Sequence, residues 1–73
     1  MDVIIASFKS RKDAINYAQS LSERRVSVRI IGTPARVGSG CGLSVQFPRR
    51  VAAVAERVLA SGEFASFLGF YRG

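Results

Sequence analysis

The stretch V-S-V-R-I-I-G-T-P-A-R-V-G-S-G-C-G-L-S-V-Q-F, Val26 to Phe47, decides the fold. Val26, Val28 and Ile30 alternate with Ser27 and Arg29, and Leu43, Val45 and Phe47 alternate with Ser44 and Gln46. Two strands, each with one apolar face, therefore flank a loop over Gly32 to Gly40. A symmetric hairpin sets Ile30 opposite Leu43, Val28 opposite Val45 and Val26 opposite Phe47, which gathers the apolar pairs on one face. Ser44 and Gln46 then point to the other face and are expected to be exposed.

Each strand has a helical pattern beyond it. Upstream, the apolar run Val3 to Phe8 shows little alternation, as a strand buried on both faces does. Ser10 offers an N-cap with Asp13 three residues on, a weak capping box, and Ala14, Ile15, Ala18 and Leu21 follow at helical spacing. The first helix is expected from Ser10 to about Arg24. Downstream, Pro48 suits a helix start, Val51, Val54, Ala55, Val58 and Leu59 form a stripe, and Gly62 is a stop signal. The aromatic-rich segment Phe64 to Tyr71 reads as a last strand, with Phe67 and Tyr71 on one face and Phe64, Leu68 and Phe70 on the other. The order β-α-β-β-α-β predicts one α+β domain over residues 1–73, a ferredoxin-like sandwich. Its four antiparallel strands run in the order 4-1-3-2, with two helices on one face.

Composition narrows the function. In 73 residues there are one cysteine and no histidine, so an intramolecular disulfide, an ordinary zinc site and a histidine general base are all excluded. No metal or other cofactor is expected, and the cysteine usage fits a reducing cytoplasm. The apolar start is too short for a signal peptide or a membrane span. A core this small gives little stability, so a second copy is one candidate staple, and aromatics on the helix-free face would suit a homodimer. Eleven Lys and Arg against five Asp and Glu give a net charge of +6, a field that attracts anions. Arg24-Arg25 and Arg49-Arg50 flank helix ends and read as solvated pairs.

The single thiol, Cys41, stands between Gly40 and Gly42 on a bare piece of backbone. A structural cysteine normally hides among apolar neighbours, whereas this one is presented. In the expected topology, strand one ends, helix one begins, strand two ends and strand three begins at one edge of the sandwich. The positive end of helix one, with Lys9, Arg11 and Lys12 near it and Arg36 in the loop itself, would favour a thiolate on Cys41. Ser39 is a candidate hydrogen-bond donor, and Gly40 and Gly42 can turn successive N–H groups toward one point. The plainer alternative is a hairpin loop that needs glycines to turn, with Cys41 an ordinary loop residue.

Paired-carboxylate chemistry finds no support in the scattered Asp2, Asp13, Glu23, Glu56 and Glu63, and no phosphate-binding glycine motif is present. What a lone activated cysteine can do without a base is accept a sulfur or selenium atom and pass it on, as a carrier rather than a free-standing enzyme. Redox sensing normally wants a second, resolving cysteine.

The letters Thr33, Pro34, Ser39, Cys41, Gly42 and Leu43 fit a T-P-…-S-x-C-G-[LI] segment between two strands, and here the sequence resembles the selenium/sulfur carrier-like family of small proteins. The following strand and helix and the C-terminal Gly69-Phe70-Tyr71-Arg72 extend the likeness over nearly the whole chain. Where members often carry a basic residue directly after the Thr-Pro pair, this chain has Ala35 and then Arg36. The resemblance implies that Cys41 is the carrier thiol and that donor and acceptor proteins of sulfur or selenium metabolism are the partners. Two other readings compete: a non-catalytic regulatory or protein-interaction domain, and an RNA-binding module of the same strand order. The second needs exposed aromatics on strands one and three, and Phe47 is in phase with the buried face, so nucleic acid is not expected as a partner.

Overall fold

The computed structural model describes residues 2–32 and 42–72. Along the chain come β1 (Val3–Phe8), α1 (Arg11–Glu23), β2 (Arg29–Gly32), β3 (Leu43–Pro48), a 3-10 turn (Arg49–Val51), α2 (Ala52–Ser61) and β4 (Phe67–Arg72). The strands form one antiparallel sheet in the order β2-β3-β1-β4, the expected 4-1-3-2 read from the other edge. Residues of both helices and one face of the sheet share a single core, so the arrangement is the ferredoxin-like α+β sandwich.

The central pair sets the face. Ile4 lies opposite Phe47, Ala6 opposite Val45 and Phe8 opposite Leu43, and all six turn toward the helices. On the edge, β2 is shorter than the alternating pattern suggested, and its register is displaced by two residues: Ile30 lies opposite Val45, and Gly32 takes the place beside Leu43. A two-residue shift preserves which face each side chain occupies, so hydrophobic patterning cannot distinguish the registers.

Val26 and Val28 precede the strand, because the chain leaves α1 through a tight turn. Val26 N–H bonds Leu21 O at 3.1 Å and Arg25 N–H bonds Ser22 O at 2.9 Å, a Schellman closure that buries Val26 against Leu21. Arg25 holds φ 62 there, a position glycine normally takes. For an L side chain the left-handed conformation costs roughly 1–2 kcal/mol.

Helix α1 buries Ala14, Tyr17, Ala18 and Leu21, whereas Ile15, placed in the apolar stripe by spacing, is 48% exposed. Tyr17 takes its place because a phenol can be buried when its hydroxyl finds a partner: Tyr17 Oη donates to Ala55 O in α2 at 2.7 Å. In α2, Ala55 and Val58 are buried and Val51 and Leu59 pack beside them, but Val54 is exposed.

The largest departure lies in β4. Gly69 pairs with Ser7 but Phe67 pairs with Phe8, so Leu68 is an extra residue in the ladder. This bulge brings Phe67 and Phe70, which simple alternation separates, onto the helix side, where their rings stand 4.9 Å apart. Phe64 precedes the strand and packs on Phe8 and Tyr17. The aromatic surface expected on the helix-free face, and with it the argument for a homodimer there, is therefore reduced among the described residues to Tyr71. That side chain lies over Gly69, whose φ of +148 suits glycine; a Cβ there would meet Tyr71 Oη at 3.1 Å.

Burial, with a smaller effect from the Glu56 charge, pushes the Tyr17 phenol well above the ordinary tyrosine range. Above about pH 10 the unfolded chain releases this proton while the folded chain retains it, so stability must decline as pH rises. Urea unfolding of Tyr17→Phe at neutral pH should show a loss of roughly 1–2 kcal/mol, from the hydrogen bond to Ala55 O. The variant should also lose less stability than the wild type between neutral pH and about pH 11. Equal alkaline slopes in the two proteins would contradict the assignment.

Candidate functional site

Four strand ends meet at one edge of the sandwich. β1 finishes at Phe8, which lies opposite both Leu43 at the start of β3 and Phe67 at the start of β4, and Gly32 at the end of β2 lies beside Leu43. Helix α1 begins immediately beyond β1, with Ser10 as its N-cap. The convergence of strand ends and helix start argued from topology is thus present. Arg36, Ser39, Gly40 and Cys41 lie outside the described residues, together with Thr33 and Pro34.

Gly42, the residue that follows Cys41 in the sequence, is buried at this edge, and a Cβ on it would run into the carbonyl oxygen of Phe8. This glycine is demanded by close backbone approach rather than by a turn conformation. Gly32 differs: no atom lies within 4 Å of where its Cβ would be.

The start of α1 is fixed by a relay that the capping-box pattern only half indicated. Ser10 Oγ accepts from Asp13 N–H at 3.4 Å, as expected. The Asp13 carboxylate, however, does not return to the Ser10 N–H. It accepts from Ser66 Oγ at 2.6 Å and from Ser66 N–H at 3.2 Å, and the Ser10 N–H donates to Ser66 Oγ at 3.0 Å. Lys9 N–H adds a bond to Ser66 O at 2.9 Å. Ser66, which no sequence motif marks, therefore ties the first helix to the start of β4. Lys9, Arg11 and Lys12 are exposed around this relay, so the edge carries three cations and the Asp13 carboxylate beside a helix N-terminus.

Beneath the same edge, on the sheet face without helices, Ser7 and Ser44 form a cross-strand pair with their hydroxyls 2.9 Å apart. Both are fully buried, contrary to the exposure expected of Ser44. Each strand holds a serine, but only the pairing of β1 with β3 puts the two in register. With Ile5 buried on that face as well, and Phe8 and Phe47 turned into the core, β1 and β3 offer no exposed aromatic on which a base could stack.

Among the described residues no group of three or more Cys, Asp or Glu could hold a metal ion, and no helix is long and apolar enough to cross a membrane.

The fold and this edge define a class: a small basic α+β sandwich whose strand ends and helix start bracket a glycine-rich, single-cysteine connection. The chain belongs to the family described as "Putative Se/S carrier protein-like", whose model matches residues 3–72. We find no match among curated proteins or among solved structures.

The two glycines that bound the connection should respond differently to the same substitution. Gly42→Ala must move Phe8 or its own strand and is expected to lose roughly 1–3 kcal/mol in chemical denaturation, the range for overpacking. Gly32→Ala should unfold within about 0.5 kcal/mol of wild type. Similar losses at both positions would show that the close approach to Phe8 is not the constraint.

Proposed function

We propose that the protein is a carrier of sulfur or selenium, working in a reducing cytoplasm, with Cys41 Sγ as the atom that accepts and releases the cargo. It is not itself an enzyme. The observation that carries this reading is membership of the Se/S carrier-like family over residues 3–72 in a chain with one cysteine. The exposed Lys9, Arg11 and Lys12 at the edge where Gly32 and Gly42 lie support it, since a positive field favours the thiolate.

The exchange conserves electrons. The Cys41 thiolate attacks the terminal sulfur of a donor persulfide; the new bond is Cys41 S–S, the donor's S–S bond breaks, and the donor cysteine leaves as a thiolate. Delivery repeats the step in the other direction, with an acceptor nucleophile taking the terminal atom and Cys41 leaving as thiolate. A donor perselenide gives the selenium counterpart. Neither step asks this chain for a general base, which agrees with its lack of histidine. Donor and acceptor proteins of sulfur or selenium metabolism are then its partners.

Intact-mass measurement after incubation with a cysteine desulfurase and cysteine, or with a selenocysteine lyase and selenocysteine, tests the proposal. One added sulfur or selenium on the wild type, removed by thiol reductant and missing from Cys41→Ser, is expected. An unmodified wild type with both donors, or an equal adduct on Cys41→Ser, would overturn it.

A further inference from the structure

The opposite edge of the sandwich carries a second feature, which carrier chemistry does not use. Helix α1 ends there, β2 starts there, and β3 and β4 finish there, so the fold assembles Arg24, Arg25, Arg29, Arg49, Arg50 and Arg72 at one pole although they are scattered in sequence. All six are exposed, and no lysine is among them. Arg29 and Arg72 lie on the two edge strands, three inter-strand steps or about 14 Å apart. Arg49 and Arg50 follow the end of the strand next to β2. Asp2 and Glu23 are carboxylates of this pole, and Glu56, one turn into α2, lines a pocket with Ile4, the residue that pairs with Arg72. No ion pair joins Arg25, Arg29, Arg49 or Arg50 to a carboxylate among the described residues.

Two of these placements work against the local structure. Arg25 occupies the left-handed position that closes α1, where glycine fits best. Arg49 and Arg50 precede α2, whose N-terminus has no side-chain cap and no acidic residue in its first turn, so both cations stand near the positive end of a helix. Local rules broken together at one place, without a structural gain, mark function.

We propose that this arginine pole binds the phosphodiester backbone of nucleic acid, without reading its bases. Guanidinium groups pair with phosphate oxygens in a two-pronged geometry that lysine cannot match. Two shallow depressions meet at Pro48: one of about 440 Å³ lined by Asp2, Pro48, Arg49 and Arg50, the other of about 390 Å³ reaching Arg29. The first has no aromatic or large aliphatic lining, and of the apolar residues lining the second Phe47 is buried and Val3 and Val28 are half-buried. A protein partner would want such an anchor at the centre of its interface, whereas a string of phosphates needs only spaced cations. With no exposed aromatic on β1 or β3, the contact falls to phosphates alone, which carry no base identity.

Fluorescence anisotropy with a labelled single-stranded RNA of about 15 nucleotides, and with DNA of the same sequence, tests the inference across a potassium chloride series. The informative variant is the triple substitution Arg25→Gly, Arg49→Gln and Arg50→Gln, because each change relieves a local conflict and the thermal midpoint should be no lower than that of the wild type. Binding of both probes by this variant should weaken at least about tenfold at moderate salt, and the slope of log affinity against log salt should fall by about 2, at roughly 0.7 for each phosphate no longer neutralised. The charge-matched variant Lys9→Gln, Arg11→Gln and Lys12→Gln at the other edge should bind within about twofold of wild type, so net charge alone is not what is measured. Equal weakening by the two variants, no detectable wild-type binding, or binding of poly-L-glutamate as tight as that of RNA would each overturn the proposal.

Discussion

The aromatic contacts of Phe8 hold the two halves of the molecule together. Its ring, fully buried, stands 5.1 Å from Tyr17 of α1, 5.9 Å from Phe64 after α2 and 5.5 Å from Phe67 of β4. Each tilted or edge-on pair adds to the burial itself, and full burial of one such ring is worth about 1.5–3 kcal/mol. The same residue ends β1, the strand paired on both sides, so the position of its ring sets the position of its backbone. Its carbonyl then leaves no room for a side chain on Gly42. A packing requirement in the core is in this way transmitted to the residue next to the only cysteine, and Ser66, bonded to Lys9, Ser10 and Asp13, repeats the link through hydrogen bonds.

What the sequence made legible follows from what its patterns encode. Alternation in Val26 to Phe47 and helical spacing in α2 report which face is apolar, and those faces are the ones found. Patterns of period two are silent about even shifts of register, hence the displaced β2. They also mislead where a bulge resets the phase: in Phe67-Leu68-Gly69-Phe70 nothing but the glycine signals that both phenylalanines share a face. Tyr17 fits the helical spacing of Ala14, Ala18 and Leu21, but its phenol reads as polar, because its burial depends on the Ala55 carbonyl of another helix. Of the candidate site, the edge and the role of Ser10 were readable, because they follow from connectivity and capping. Ser66 and the Ser7–Ser44 pair were not, because tertiary contacts alone give them meaning.

The internal symmetry of the β-α-β-β-α-β order has an electrostatic consequence. The two helices run in opposite directions, so each edge of the sandwich receives the positive end of one helix. In this chain each positive end also receives basic residues: Lys9, Arg11 and Lys12 at α1, Arg49 and Arg50 at α2. At α1 the conflict is compensated by the Ser10 cap and by Asp13 in the first turn; at α2 neither compensation is present. A cation near a helix N-terminus is unfavourable by a few tenths to about 1 kcal/mol. In a fold of this size such terms are a noticeable share of the total stability. The compensated end is the one beside the cysteine-bearing connection, where the relay through Asp13 and Ser66 also fixes backbone position. At the uncompensated end Val51 packs into the core, while Arg49 and Arg50 stay exposed toward an anion outside the molecule. The two proposed sites are thus kept apart by topology alone, each at the helix end that the fold turns toward it.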